Sequence, residues 1–155
     1  MTDSIAIHGD VIQALGRIAW VSMNLEDWTK ATCEMVLRQF DSRTPIGEHI
    51  KAAVERAHEW PRTPEVIAGI AWLEAAAEAM KQRNHVVHAV PAFSLGPPRR
   101  NGLVYIHKAK DGKREPSIET PLEVGPLTAI ADGIEATLDG WRDAHKSLHS
   151  AQLKQ

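Results

Sequence analysis

Apolar residues recur at three- and four-residue steps along most of the chain, in blocks separated by proline and glycine. After a short polar start, Asp10 caps a helix whose apolar positions are Val11, Leu15, Ile18, Leu25, Trp28, Met35 and Val36. That spacing predicts one long helix or two nearly collinear ones, ended by Asp41-Ser42-Arg43. Thr44-Pro45 then offers an N-cap and a proline at the first position of a second helix, with Ile46, Ile50, Ala53, Val54 and Ala57 facing inward. Trp60-Pro61 stops it. Thr63-Pro64-Glu65 repeats the start signal, now with an acid in the first turn, where the helix dipole favours negative charge. The third helix has a stripe of Val66, Ile70, Leu73, Ala77, Met80, Asn84 and Val87, and Asn84 interrupts its apolar pattern. Pro91 disfavours helical backbone at Val90, so this helix is predicted to end near His88 or Ala89.

Beyond Pro91 the period changes. Pro91 to Gly102 reads as a loop containing Gly96-Pro97-Pro98, and Leu103 to Lys110 reads as a strand around Val104, Tyr105 and Ile106. Asp111-Gly112 is a two-residue turn signal, so Lys113 to Thr120 returns as the second arm of a hairpin. A hairpin alone is marginal in water and has to pack on the helices. Gly125-Pro126 opens a last helix with Leu127, Ile130, Ile134, Leu138, Trp141 and Leu148 on one face. The expected fold is all-α with a minor β-hairpin: an up-and-down bundle of four to five helices, the hairpin inserted before the last one. No repeat or linker interrupts it, and 155 residues suit one domain spanning positions 1–155.

Composition narrows the function classes. Hydrophobic residues make up 43% and charged residues 25%, a globular balance. The uncharged run Ile18 to Leu25 is far shorter than the roughly 20 residues that span a bilayer, and no basic segment precedes it, so neither a membrane protein nor a secreted one is expected. A single cysteine, Cys33, leaves no internal disulfide and no cysteine-based zinc site, and the reading is cytoplasmic. The formal charge of −2 does not suit a dedicated duplex-binding protein, so any nucleic-acid contact is local.

The stretch that bears chemistry surrounds the interrupted stripe: Lys81-Gln82-Arg83-Asn84-His85-Val86-Val87-His88. On a helix Asn84 and His88 share a face, and Arg83 beside them is long enough to reach the same anion. A guanidinium can grip a phosphate through two parallel hydrogen bonds, and an imidazole can move a proton near neutral pH. An arginine and a histidine with four to six residues between them is a loose pattern. Arg43/His49, Arg100/His107 and Arg142/His149 satisfy it too. Requiring the strict spacing R-N-x-x-x-H, which Arg100-Asn101 and His107 do not have, lowers the chance expectation to about 0.01, because the chain has three asparagines.

Arg83-Asn84-His85-Val86-Val87-His88 resembles the R-N-x-x-x-H motif of the HEPN superfamily, helical domains found in ribonucleases of toxin–antitoxin, abortive-infection and CRISPR systems. Three amphipathic helices precede the motif, a small residue, Ala89, follows it, and a further helix comes after. The resemblance implies a homodimer in which two motifs form one composite cleft. It implies that Arg83 binds the phosphate, that His88 shuttles the proton during attack by the ribose 2′-hydroxyl, and that Asn84 orients the pair. Neither metal nor cofactor is implied, and single-stranded RNA and an antitoxin-like protein are the implied partners. The early stop at Pro91 and the inserted hairpin depart from the family's simpler members.

Other readings stay open. Asn84 could set helix register and His88 could cap the helix end, giving a non-catalytic module that dimerises or binds a protein. His145 and His149 lie four apart, but without a H-E-x-x-H pattern a solvated helix face is the ordinary reading. Arg99, Arg100, Lys108, Lys110, Lys113 and Arg114 make the loop and hairpin locally basic, suiting an RNA backbone or simply a soluble edge. The five tryptophans read as core or interface, and Cys33 as a small buried hydrophobe.

Overall fold

The computed structural model of the chain describes residues 9–39, 41, 43–88, 90–93, 101–108 and 114–155. Five helices and three strands follow in the order α1 (Gly9–Leu37), α2 (Ile46–His58), α3 (Pro64–Val87), β1 (Val90–Phe93), β2 (Asn101–Lys108), β3 (Arg114–Pro121), α4 (Val124–Asp139) and α5 (Trp141–Gln152). The fold is a helical bundle with a small antiparallel sheet inserted before its last two helices.

α1 is one uninterrupted helix of 29 residues. Its buried seam is Val11, Ala14, Ile18, Val21, Ser22, Leu25, Thr29, Thr32, Cys33 and Val36. Leu15 and Met35 are half-buried, and Trp28 is 41% exposed rather than on the inner face. α2 buries Ile50, Ala53 and Ala57 as the periodicity requires, together with His49. Its start differs by one residue. Pro45 occupies the N-cap position without a side-chain cap, while the Thr44 hydroxyl donates to Asp41 Oδ2 at 2.8 Å. α3 begins as read: Pro64 is its first residue, and Thr63 Oγ1 accepts from the Val66 N–H at 3.4 Å.

The buried arc of α3 is wider than one stripe, because Gly69, Trp72, Ala76 and Ala79 are enclosed beside Val66, Ile70, Leu73 and Met80. Two neighbours explain this. Trp72 Nε1 donates to the Thr137 carbonyl of α4 at 2.8 Å, and Gly69 lies against Leu148 of α5. At the far end the burial shifts by one position: Val86 is buried and Val87 is 48% exposed.

Two details of the sequence reading are corrected. The stretch after Pro91 is not all loop. Val90–Phe93 forms β1, paired with Val104 to Asn101, so the hairpin gains a third strand and the order is β1-β2-β3. Proline lacks the N–H that a ladder needs, and it sits here only on the two edge strands, at Pro91, Pro116 and Pro121. The register shift between Tyr105 and Ile106 falls where Ile106 pairs with Pro116, consistent with a bulge taking up the missing donor. The Asp111-Gly112 turn and Gly96-Pro97-Pro98 lie outside the described residues. Second, the last helix is two helices, α4 and α5, separated at Gly140.

The chain divides into two compact units, Met1–Trp20 with Lys81–Asp132, and Val21–Met80 with Gly133–Gln155. Their boundaries fall inside α1, α3 and α4 rather than in linkers. The first unit contains the sheet, and Arg17 of α1 pairs with Asp132 of α4 at 2.6 Å. Both partners are solvent-exposed, so this pair contributes at most about 1 kcal/mol. The second unit packs α1 and α3 against α5: Gln152 Nε2 donates to the carbonyls of Met35 and Val36 at 2.8 and 3.2 Å and so caps the end of α1.

Candidate functional site

The last turn of α3 carries Arg83 and Asn84, and His88 follows directly on its final residue. The His88 backbone N–H donates to the Asn84 carbonyl at 3.1 Å, so helical spacing persists through the motif and keeps these two residues one turn apart. Arg83 and Asn84 are half-buried and His88 is exposed. Asn84 Oδ1 is buried and has no hydrogen-bond partner among the described residues. An acceptor left in that condition costs about 1–3 kcal/mol, and such groups call for a water, an ion or a partner to complete them. The amide N–H group of an asparagine, a guanidinium and a solvent-facing imidazole form a donor set able to grip an oxyanion and exchange a proton.

The remaining sequence candidates are placed as follows. His145 does not pair with His149 around a metal. Its Nδ1 lies 3.0 Å from Thr32 Oγ1, and no group of three metal-capable side chains occurs among the described residues. Of the basic residues, Arg99, Arg100, Lys110 and Lys113 lie outside the described residues, while Lys108 and Arg114 are paired positions at the ends of β2 and β3. His49, which completes one looser arginine–histidine pattern, is 6% exposed. Cys33 is enclosed, and burial together with the nearby Glu34 carboxylate pushes its thiol up to about 12, which removes the thiolate needed of a nucleophile. No helix among the described residues is long and apolar enough to cross a membrane.

A second cluster was not visible in the sequence. Trp28 of α1 stacks on Trp141 of α5, with ring centroids 3.7 Å apart and planes 11° from parallel. His145 meets the Trp141 ring edge-on at 6.1 Å. Thr32 Oγ1 donates to the Trp28 carbonyl at 2.9 Å, which commits its hydrogen and leaves it an acceptor for His145 Nδ1–H. The four residues therefore close a ring of contacts, from the Trp28 backbone through Thr32, His145 and Trp141 back to the Trp28 indole. Burial lowers the His145 pKa from its ordinary value, and His149 adds to the effect. The Arg142 guanidinium lies 5.7 Å from the Trp141 ring centroid. Each tryptophan falls on an apolar helical position, so the sequence assigned both to the core or to an interface. Their contact needed α1 and α5 to be adjacent, and a separation of 113 positions leaves no local signal. Compared with protein-family models, with curated proteins and with solved structures, the chain matches none of them.

Proposed function

We propose that the chain is a HEPN-like domain acting as a metal-independent endoribonuclease on single-stranded RNA, in a toxin–antitoxin or defence setting and with an antitoxin-like partner. The observation that carries the reading is Asn84: its amide oxygen is buried without a hydrogen-bond partner among the described residues, one turn before an exposed His88 and next to Arg83. In this mechanism His88 takes the proton from the ribose 2′-hydroxyl as its oxygen bonds to phosphorus, and the bond to the 5′-oxygen breaks as His88 passes that proton to the leaving oxygen. Arg83 stabilises the charge that builds on the phosphoryl oxygens. Asn84 orients the pair, and a second copy of the chain completes the cleft.

The protein is expected to cleave single-stranded RNA in the presence of a chelator and to leave 2′,3′-cyclic phosphate ends. His88→Ala should lower the rate about 10²–10⁴-fold through loss of the proton shuttle. Arg83→Ala should lower it by about 10²–10³-fold, as when an oxyanion donor is removed. Cleavage that survives in His88→Ala removes the motif from the mechanism. A second reading, a non-catalytic dimerisation module, draws on the exposed apolar residues Ile12, Trp20, Val87 and Val124 of the first unit. It gives no cleavage from the wild type, and a lower melting temperature or weaker dimer in Asn84→Ala.

A further inference from the structure

Within the second unit, the α4–α5 junction opens a cavity of about 340 Å³ lined by Asn24, Trp28, Leu138, Asp139, Trp141 and Arg142. That volume lies at the lower end of the roughly 300–1,000 Å³ of small-ligand sites. Its wall is made by the break in the helix. Gly140 separates α4 from α5, and a Cβ there would approach Trp72 Cδ1 at 3.3 Å, so a small residue suits the position. The break brings Trp141 onto Trp28, and Trp72 Nε1 occupies the carbonyl of Thr137.

The tryptophan pair is preorganised and still open. Stacking covers one face of each indole, yet Trp28 remains 41% exposed. The contact ring through Thr32 and His145 fixes the platform before anything binds, which lowers the ordering cost of a ligand laid on it. The lining decides which ligand class fits. One carboxylate and one guanidinium, Asp139 and Arg142, leave no net charge, so a polyphosphate or a polycation is disfavoured. The Arg142 guanidinium already lies over the Trp141 ring, the place a cationic ligand would seek. A flat, uncharged ring with hydrogen-bond donors and acceptors at its edge matches both floor and rim: it stacks on indole, and an amide, a carboxylate and a guanidinium can pair with that edge.

We propose that this cavity binds a nucleobase, stacked on the open face of Trp28 and read at its edge by Asp139, Arg142 and Asn24. The base could belong to a free nucleotide or to a single-stranded RNA, and the two sources share this chemistry. The assignment does not depend on the ribonuclease reading, since none of these residues belongs to the Arg83–His88 motif.

Calorimetric titration of the His88→Ala protein, in which RNA would stay intact, with AMP, with ribose 5-phosphate and with an eight-residue oligoadenylate tests it. AMP, the oligoadenylate or both should bind, and ribose 5-phosphate, which lacks the base, should not. Binding of the oligoadenylate alone, lost in Trp28→Leu, assigns the cavity to an RNA strand, and binding of AMP lost in the same variant assigns it to a nucleotide. Trp28→Leu should weaken binding about tenfold or more, the loss of one base–aromatic stack, and Trp28→Phe should retain most of it. Equal binding of AMP and ribose 5-phosphate, binding unchanged in Trp28→Leu, or no binding of either base-bearing probe at millimolar concentration overturns the proposal. The comparison of AMP with ribose 5-phosphate needs no tryptophan variant, so it decides even if Trp28→Leu fails to fold. RNA cleavage by the wild type without base binding would leave the ribonuclease reading intact and remove this one. Base binding without cleavage would do the reverse.

Discussion

Thr32 and His145 show how single polar side chains are accommodated in the interior of the second unit. Thr32 is fully enclosed, and its hydroxyl meets both the Trp28 carbonyl and the His145 ring, so nothing on it is left unpaired. The consequence for pH follows from the depressed pKa of His145, caused first by burial and then by His149. In the unfolded chain the imidazole takes a proton near its ordinary value of 6.5. In the folded chain it resists until lower pH. Between those two values the unfolded state binds more protons, so stability falls as the pH drops below about 6.5 and is unaffected above it. Thermal melts at pH 7 and pH 5 should show a larger loss of Tm in the wild type than in His145→Asn; equal losses would place the pH sensitivity elsewhere. The sequence displayed His145 only as half of a two-histidine spacing. Its true partner is far away in the chain and came from packing.

At the scale of elements, α3 lies close against α5 at Gly69. A Cβ built there would lie 2.3 Å from Leu148 Cγ and 2.6 and 2.9 Å from its two methyl carbons. Leu148 is fully buried and has no open space to swing into. Gly69→Ala gains about 1 kcal/mol of helix propensity, but overpacking of this kind costs about 1–3 kcal/mol, so the clash prevails. The difference, a net loss of up to about 2 kcal/mol, corresponds to a Tm lower by up to several degrees for a chain of this size, about 2–4 °C per kcal/mol. In a Leu148→Ala background the same change should become neutral or stabilising, and a double-mutant cycle showing simple additivity would disprove the contact. α1 makes the opposite case. Its seam was legible in the sequence because a 29-residue amphipathic helix repeats its signal many times, although the helix begins at Gly9 and holds Asp10 in its first turn rather than at its cap. β1 was not legible, since four residues around a proline carry almost no alternation and Pro91 reads equally as a helix stop.

For the whole molecule the distribution of exposed apolar surface matters most. In the first unit Ile12, Trp20, Val87 and Val124 are 58, 64, 48 and 41% exposed, and Val87 lies between Asn84 and His88 in the chain. Exposed apolar residues in that number call for a partner, and closed two-fold pairing is the commonest solution. Light scattering at tens of micromolar protein should report a dimer, a rough range for a moderate interface. Val87→Lys should shift it toward monomer by placing a charge in the contact, and a wild-type monomer at that concentration would count against the composite cleft.

The sequence by itself determined the helical class, a first stretch of one long helix or two collinear ones, the start of α3 at Thr63-Pro64 and a hairpin with arms at Leu103 to Lys110 and Lys113 to Thr120. Each of these rests on local periodicity or on a backbone property of proline, and such signals act within a few residues of where they are written. The sequence also marked Arg83, Asn84 and His88, because a polar residue in an apolar stripe is visible without coordinates. The tertiary structure alone decided that Asn84 Oδ1 is buried without a partner among the described residues, that Gly140 divides the last helix, and that Trp28 stacks on Trp141 with Thr32 and His145 closing the ring. Hydrophobic periodicity says that a residue faces something. Which neighbour it faces depends on segments more than a hundred residues apart being brought together, and that information belongs to packing.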